Sequence, residues 1–107
     1  MDKKILSLSE DDQGNEIHIQ GVSVLEFSFV ETSSTGYVWG LISILPKQIQ
    51  FIGKEYHAAT DDTGGSGTRK FRYKLISLVD TNMSFALKRK WEPISAATKI
   101  VTYRLVP

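Results

Sequence analysis

The side chains that could carry out chemistry are few, and their spacing does not suit it. His18 and His57 are the two histidines, and neither falls in a metal-ligand spacing. His18 lies between Ile17 and Ile19, which places it on the solvent side of an alternating strand. Asp61 and Asp62 are adjacent in a polar stretch, and neighbouring carboxylates point apart rather than form an acid/base pair. Ser34 has a hydroxyl but neither a G-x-S-x-G elbow nor an identifiable base. The chain has no cysteine, which excludes thiol catalysis, disulfides and cysteine-rich zinc sites. An enzyme is not expected, nor is a metal or any other cofactor.

Two further patterns invite a binding reading. Gly64-Gly65-Ser66-Gly67-Thr68-Arg69-Lys70 is glycine-rich and basic, but a P-loop needs its Lys earlier and a helix after it, whereas a strand follows here. The segment reads either as a hairpin loop or as backbone exposed for close approach. Arg69-Lys70-Phe71-Arg72-Tyr73-Lys74 interleaves cations and aromatics, as single-strand nucleic-acid sheets can. In a strand, however, Phe71 and Tyr73 face away from Lys70, Arg72 and Lys74, giving a core side and a solvated side. With a formal net charge of +1, nucleic acid is not an expected partner.

Trp91 resists a bland reading. It shares the phase of Phe85, Leu87 and Arg89, so a core position is one option. Yet Lys88-Arg89-Lys90 precede it and Glu92-Pro93 follow, a setting that favours a surface anchor of the kind enriched at interface hot spots.

The elements that must position these groups are strands. Period-two alternation places Leu25, Phe27 and Phe29 on one face, with Val22 and Val24 out of phase and a bulge or twist expected near Val24. Tyr37, Trp39 and Leu41 continue the pattern, which shifts phase at Ile42 and Ile44 and stops at Pro46. A short piece, 48–52, precedes Gly53, and residues 55–68 read as a long polar loop. Phe71, Tyr73 and Leu75, then Phe85 and Leu87, then Val101, Tyr103 and Leu105 complete the alternating runs. Six to eight short strands without an amphipathic helix point to a sandwich or small barrel. The 107 residues form one domain, 1–107, long enough for a core of its own.

No apolar run reaches the length of a membrane helix, and Met1 to Glu10 lack the apolar stretch of a secretory signal. A cytoplasmic protein with no membrane partner is therefore expected, and nothing asks for more than a monomer.

Three decorated segments remain: Thr32-Ser33-Ser34-Thr35-Gly36, Gly64-Gly65-Ser66-Gly67 and Arg89-Lys90-Trp91. In this order and at these intervals the chain resembles the chagasin family, inhibitors of papain-type cysteine peptidases that include the amoebiasins. The family's N-P-T-T-G, followed by an aromatic, one residue and Trp, is matched by residues 32–36 with Tyr37 and Trp39. Its G-x-G-G is matched by residues 64–67, with Thr68 and Phe71 after it, and its R-P-W by residues 89–91. Thr32 and Ser33 replace Asn and Pro, Ser66 replaces Gly, and Lys90 replaces Pro.

The resemblance implies an all-β, immunoglobulin-like antiparallel sandwich with three binding loops at one end. It also implies a cathepsin-L-like, papain-family peptidase as partner, bound reversibly and tightly. Ser34 and Thr35 would approach the catalytic centre, Gly64 to Gly67 would present backbone to one side of the cleft, and Trp91 would pack on the other, with Arg89 supporting it or contacting an acidic group of the partner. The alternative is an immunoglobulin-like adhesion or adaptor module for a non-protease protein.

Overall fold

Alternating strands with one apolar side must bury that side against a second layer, and here two four-stranded sheets do so. The computed structural model describes residues 4–59 and 66–107, so Asp61, Asp62, Gly64 and Gly65 lie outside the described residues. In chain order the strands are β1 (Ile5–Leu8), β2 (Glu16–His18), β3 (Val24–Thr32), β4 (Tyr37–Leu41), β5 (Ile49–Ala58), β6 (Ser66–Leu75), β7 (Thr81–Arg89) and β8 (Lys99–Val106). One sheet has the order β1-β3-β6-β5 and the other β2-β8-β7-β4. Short 3-10 turns, and no α-helix, join them among the described residues.

The sandwich is the expected all-β one, with an addition at its edges. The pairs inside each sheet are antiparallel, but β1 runs parallel to β3 and β2 parallel to β8. The N-terminal segment thus contributes an edge strand to each sheet, passing between them through Glu10–Asp12.

Aromatic rings fill the space between the layers. Phe27 of the first sheet meets Phe85 and Tyr103 of the second at 4.8 and 5.0 Å between centroids, and Phe29 meets Phe85 at 5.1 Å. Such pairs add about 0.5–1.5 kcal/mol each beyond the area they bury. Leu25, Phe71, Tyr73, Val101 and Leu105 join them in the core, as the period-two reading expects, and Ile19, Ile49 and Met83 add to it. Tyr103 keeps its hydroxyl bonded by donating to the Ser9 carbonyl at 2.7 Å. Burial pushes the ionisation of Tyr73 and Tyr103 above the ordinary tyrosine value, and the Asp12 and Glu10 carboxylates add to the effect at Tyr103.

Three boundaries differ from the sequence reading. No register break occurs at Val24; Val22 is out of phase because its N–H closes a turn onto the Ile19 carbonyl before β3 begins. The register shift falls instead in β5, between Phe51 and Gly53. Strand β4 stops at Leu41, well before Pro46, and Ile44 stands exposed in the connection. Finally, β5 runs to Ala58 and β6 starts at Ser66, so much of the supposed long loop is paired strand. Lys54 to His57 form a half-exposed edge segment, where burial imposes little alternation and the pattern fades.

Candidate functional site

The three decorated segments converge because strand register places their roots side by side. Thr32, the last residue of β3, pairs with Ser66, the first of β6. Tyr37, the first residue of β4, pairs with Arg89, the last of β7. Ala58 at the end of β5 pairs with Gly67. The first loop therefore crosses from one sheet to the other, the second hangs from the first sheet, and the third from the second.

The first loop is a 3-10 turn, Ser33–Thr35, ended by Gly36 at φ 79°. That left-handed angle is closed to most side chains, which is why glycine stands there. The Thr35 hydroxyl donates to the Thr32 carbonyl at 2.8 Å and accepts from the Tyr37 N–H at 3.3 Å, a local brace from side chain to backbone. Ser34, Thr35 and Gly36 are exposed at the tip.

Of the second loop, Ser66 and Gly67 belong to the described residues, whereas Gly64 and Gly65 do not. Gly67 is buried beneath Tyr56, and a Cβ built there would lie 2.5 Å from the His57 carbonyl oxygen. A side chain cannot be added without moving backbone. The Ser66 and Thr32 hydroxyls stand 3.2 Å apart. The residues at two departures from the family pattern thus meet each other, hydroxyl to hydroxyl, across the first and second loops.

The third loop is a tight turn in which the Glu92 N–H donates to the Arg89 carbonyl at 3.0 Å. The Glu92 carboxylate accepts from the Arg89 N–H at 3.2 Å, and Lys88 Nζ donates to the Glu92 carbonyl at 2.8 Å. These bonds hold a turn that lacks the family's Pro at Lys90. Lys90 and Trp91 sit at its tip, and Trp91 is 77% exposed, which removes the core option. The Arg89 guanidinium instead lies over the Tyr37 ring, 4.5 Å from its centroid, and joins the third loop to the first.

Beneath the loops lies a group that sequence reasoning missed. Glu31, 3% exposed, accepts from Arg69 Nη2 at 2.8 Å and from the Trp39 backbone N–H at 2.9 Å. Its own carbonyl accepts from the Tyr56 hydroxyl at 3.1 Å. The signal was present: Glu31 continues the inward phase of Leu25, Phe27 and Phe29, and a charge at an inward position requires a partner. Arg69 has the inward phase of Phe71 and Tyr73 and supplies it.

On the outer face of the same strands Lys70 and Arg72 of the basic-aromatic run are already engaged. Arg72 pairs with Glu26 at 2.7 Å and with Glu55 at 2.6 Å, and Lys70 lies 3.8 Å from Glu26. With Phe71 and Tyr73 buried, no aromatic of the run is left for a base to stack on.

Known proteins share both pattern and architecture. The family model described as Chagasin family peptidase inhibitor I42 matches residues 20–105. The structure is similar to that of the cysteine protease inhibitor EhICP2 from Entamoeba histolytica, at 19% identity and a TM-score of 0.81, over 97% of this chain and 96% of that one. It is similar to the solution structure of amebosin at 21% identity and a TM-score of 0.73, over 98% of each chain. A more distant likeness, 13% identical with a TM-score of 0.58, is to PbICP-C, solved in complex with falcipain-2 and aligned over 98% of this chain and 88% of that one. No curated protein matches the sequence. The family match runs from the turn before β3 into β8 and takes in all three decorated segments, so the chain belongs to the chagasin family of peptidase inhibitors.

Proposed function

We propose that this chain is a reversible, tight-binding inhibitor of papain-family cysteine peptidases with a cathepsin-L-like cleft, acting as a monomer in the cytoplasm. The observation that carries the reading is the convergence of three family-patterned loops at one edge, with a large aromatic, Trp91, left outside the core. The complex of the related fold PbICP-C with falcipain-2 supports the choice of partner class. A chain without cysteine needs no oxidising compartment to fold, which suits the proposed location.

The loops divide the work. Ser34 and Thr35, at the tip of the braced first loop, enter the cleft towards the catalytic centre. Thr32, Ser33 and Gly36 set the path of that loop. The second loop, Gly64, Gly65 and Ser66, offers backbone N–H and C=O groups to the cleft as a substrate strand does, with Gly67 as its buried root. Trp91 packs on an aromatic surface across the cleft, with Arg89 and Lys90 as its mount. Strands on both sides of each loop lower the entropy cost of ordering it on binding. An interface of about 1,600 Å² in total, with one dominant anchor, fits this arrangement.

Titration of papain, or of a cathepsin-L-like enzyme, against the purified protein tests the reading through cleavage of a fluorogenic peptide. Stoichiometric, reversible inhibition with the inhibitor chain left intact is expected. Failure to inhibit any member of a papain-type panel would overturn it.

A further inference from the structure

We infer that Glu31 is a positioning residue that couples the first loop to the root of the second, Ser66 and Gly67, so that the two are set as one unit before the peptidase arrives. The inference rests on the proposed inhibitory function for its meaning and on geometry for its content. One buried side chain touches both sides of the edge. Its carboxylate accepts from the Trp39 N–H, at the exit of the first loop on β4, at 2.9 Å. It also holds Arg69 on β6, just past the second loop, through Nη2 at 2.8 Å and more weakly through Nε at 3.4 Å. The Glu31 carbonyl receives the Tyr56 hydroxyl from β5, the strand that leads into the second loop.

Arg69 extends the coupling. Its guanidinium lies over the Tyr56 ring, 5.0 Å from the centroid, and Tyr56 in turn covers Gly67. Displacing the Glu31 carboxylate therefore loosens the hold of β3 on β4 across the sandwich and the seat of Gly67 together. A buried ion pair is a weak source of stability, because desolvation consumes most of the attraction, but its fixed geometry can specify one arrangement. In a binding edge that needs two loops placed at once, arrangement is what counts.

A neutral near-isostere separates positioning from stability. Glu31→Gln/Arg69→Met keeps an oxygen for the Trp39 N–H and removes both charges. The buried Gln amide N–H groups lower the melting temperature somewhat, so both chains are compared at a temperature where each is fully folded. If Glu31 positions the loops, the double variant binds papain about tenfold more weakly, as expected when the competent population falls to about a tenth. The loss appears in the association rate, while the dissociation rate holds, because the bound cleft itself orders the loops. NMR order parameters of the free chain fall at Thr35, Gly36, Ser66 and Gly67 and hold at Lys90 and Trp91.

Parent-like association and parent-like order parameters at those four residues in the folded double variant would overturn the inference. If the parent inhibits no papain-type enzyme, it is the inhibitory reading that fails. The order parameters then decide on Glu31 alone.

Discussion

Trp39 is 4% exposed, stacked on Phe29 with centroids 4.5 Å apart, and donates its indole N–H to the Val30 carbonyl at 2.9 Å. Trp91 stands 77% exposed on a turn whose hydrogen bonds are made by its neighbours. Both lie near the same edge of the molecule, one inside it and one outside. The first indole is spent on folding, fixing β4 against β3 beneath the loops. The second is withheld from folding and remains available to a partner. The difference shows how a small sandwich can hold loops rigidly and still keep a large apolar group for binding.

Replacing each tryptophan should separate the two roles. Trp39→Ala is expected to cost about 3–5 kcal/mol of stability, read as a shift in the denaturant midpoint, because it removes a fully packed ring. A loss under about 1 kcal/mol would mean that β4 is held by something other than this stack. Trp91→Ala should leave the midpoint within about 0.5 kcal/mol of the parent, as surface changes do. Inhibition should weaken by about 2 kcal/mol or more, the scale of a hot-spot loss. An unchanged inhibition constant in that variant removes Trp91 from the anchor role and, with it, the contrast.

Gly67 sharpens the comparison from the side of the second loop, which presents backbone rather than an indole. Gly67→Ala must push both Tyr56 and the His57 carbonyl aside and should cost about 1–3 kcal/mol, as overpacking does. Inhibition should fall with stability, unlike the Trp91 case. A variant that keeps both values at the parent's level would show that Tyr56 and the His57 backbone both yield freely and that the seat of Gly67 is not fixed.

The smallest effect is expected at the exposed pairs flanking that loop. Desolvation pushes the Glu55 carboxyl up, but Arg72 and His57 together outweigh it and hold the carboxyl below its ordinary value of 4.5. A depressed folded-state value means that the contribution is present above pH 4.5 and fades as pH falls through the folded value. Glu55→Gln should therefore flatten the acid side of the melting-temperature profile slightly and leave inhibition at neutral pH unchanged. An acid limb as steep as the parent's would show that these partners do not stabilise the folded state.

What could be read in advance follows from how each feature is encoded. The core strands declare themselves because Leu25, Phe27, Phe29, Phe71, Tyr73, Val101, Tyr103 and Leu105 are forced inward by the pleat. The loops were legible through small and glycine residues, whose types follow from backbone angle and close approach, as at Gly36 and Gly67. Edge strands were not: β5 beyond Gly53 is half in solvent, and β1 is four residues long and exposed along much of its length. The Glu31–Arg69 pair was half legible: the inward phase of each residue could be read, but only the β3–β6 register shows that they meet.

The parallel edges have a consequence for how the protein is made. Strand β2 pairs with β8 through Ile17 opposite Leu105, so one of the first strands finds its neighbour in the last. Contacts of such separation must pay for closing a long loop before they stabilise anything, which slows folding and makes it concerted. During synthesis the sheet carrying the third loop is incomplete until residues 99–106 have been added. The sheet that mounts Trp91 is therefore closed late, by the same strand that pairs with β2.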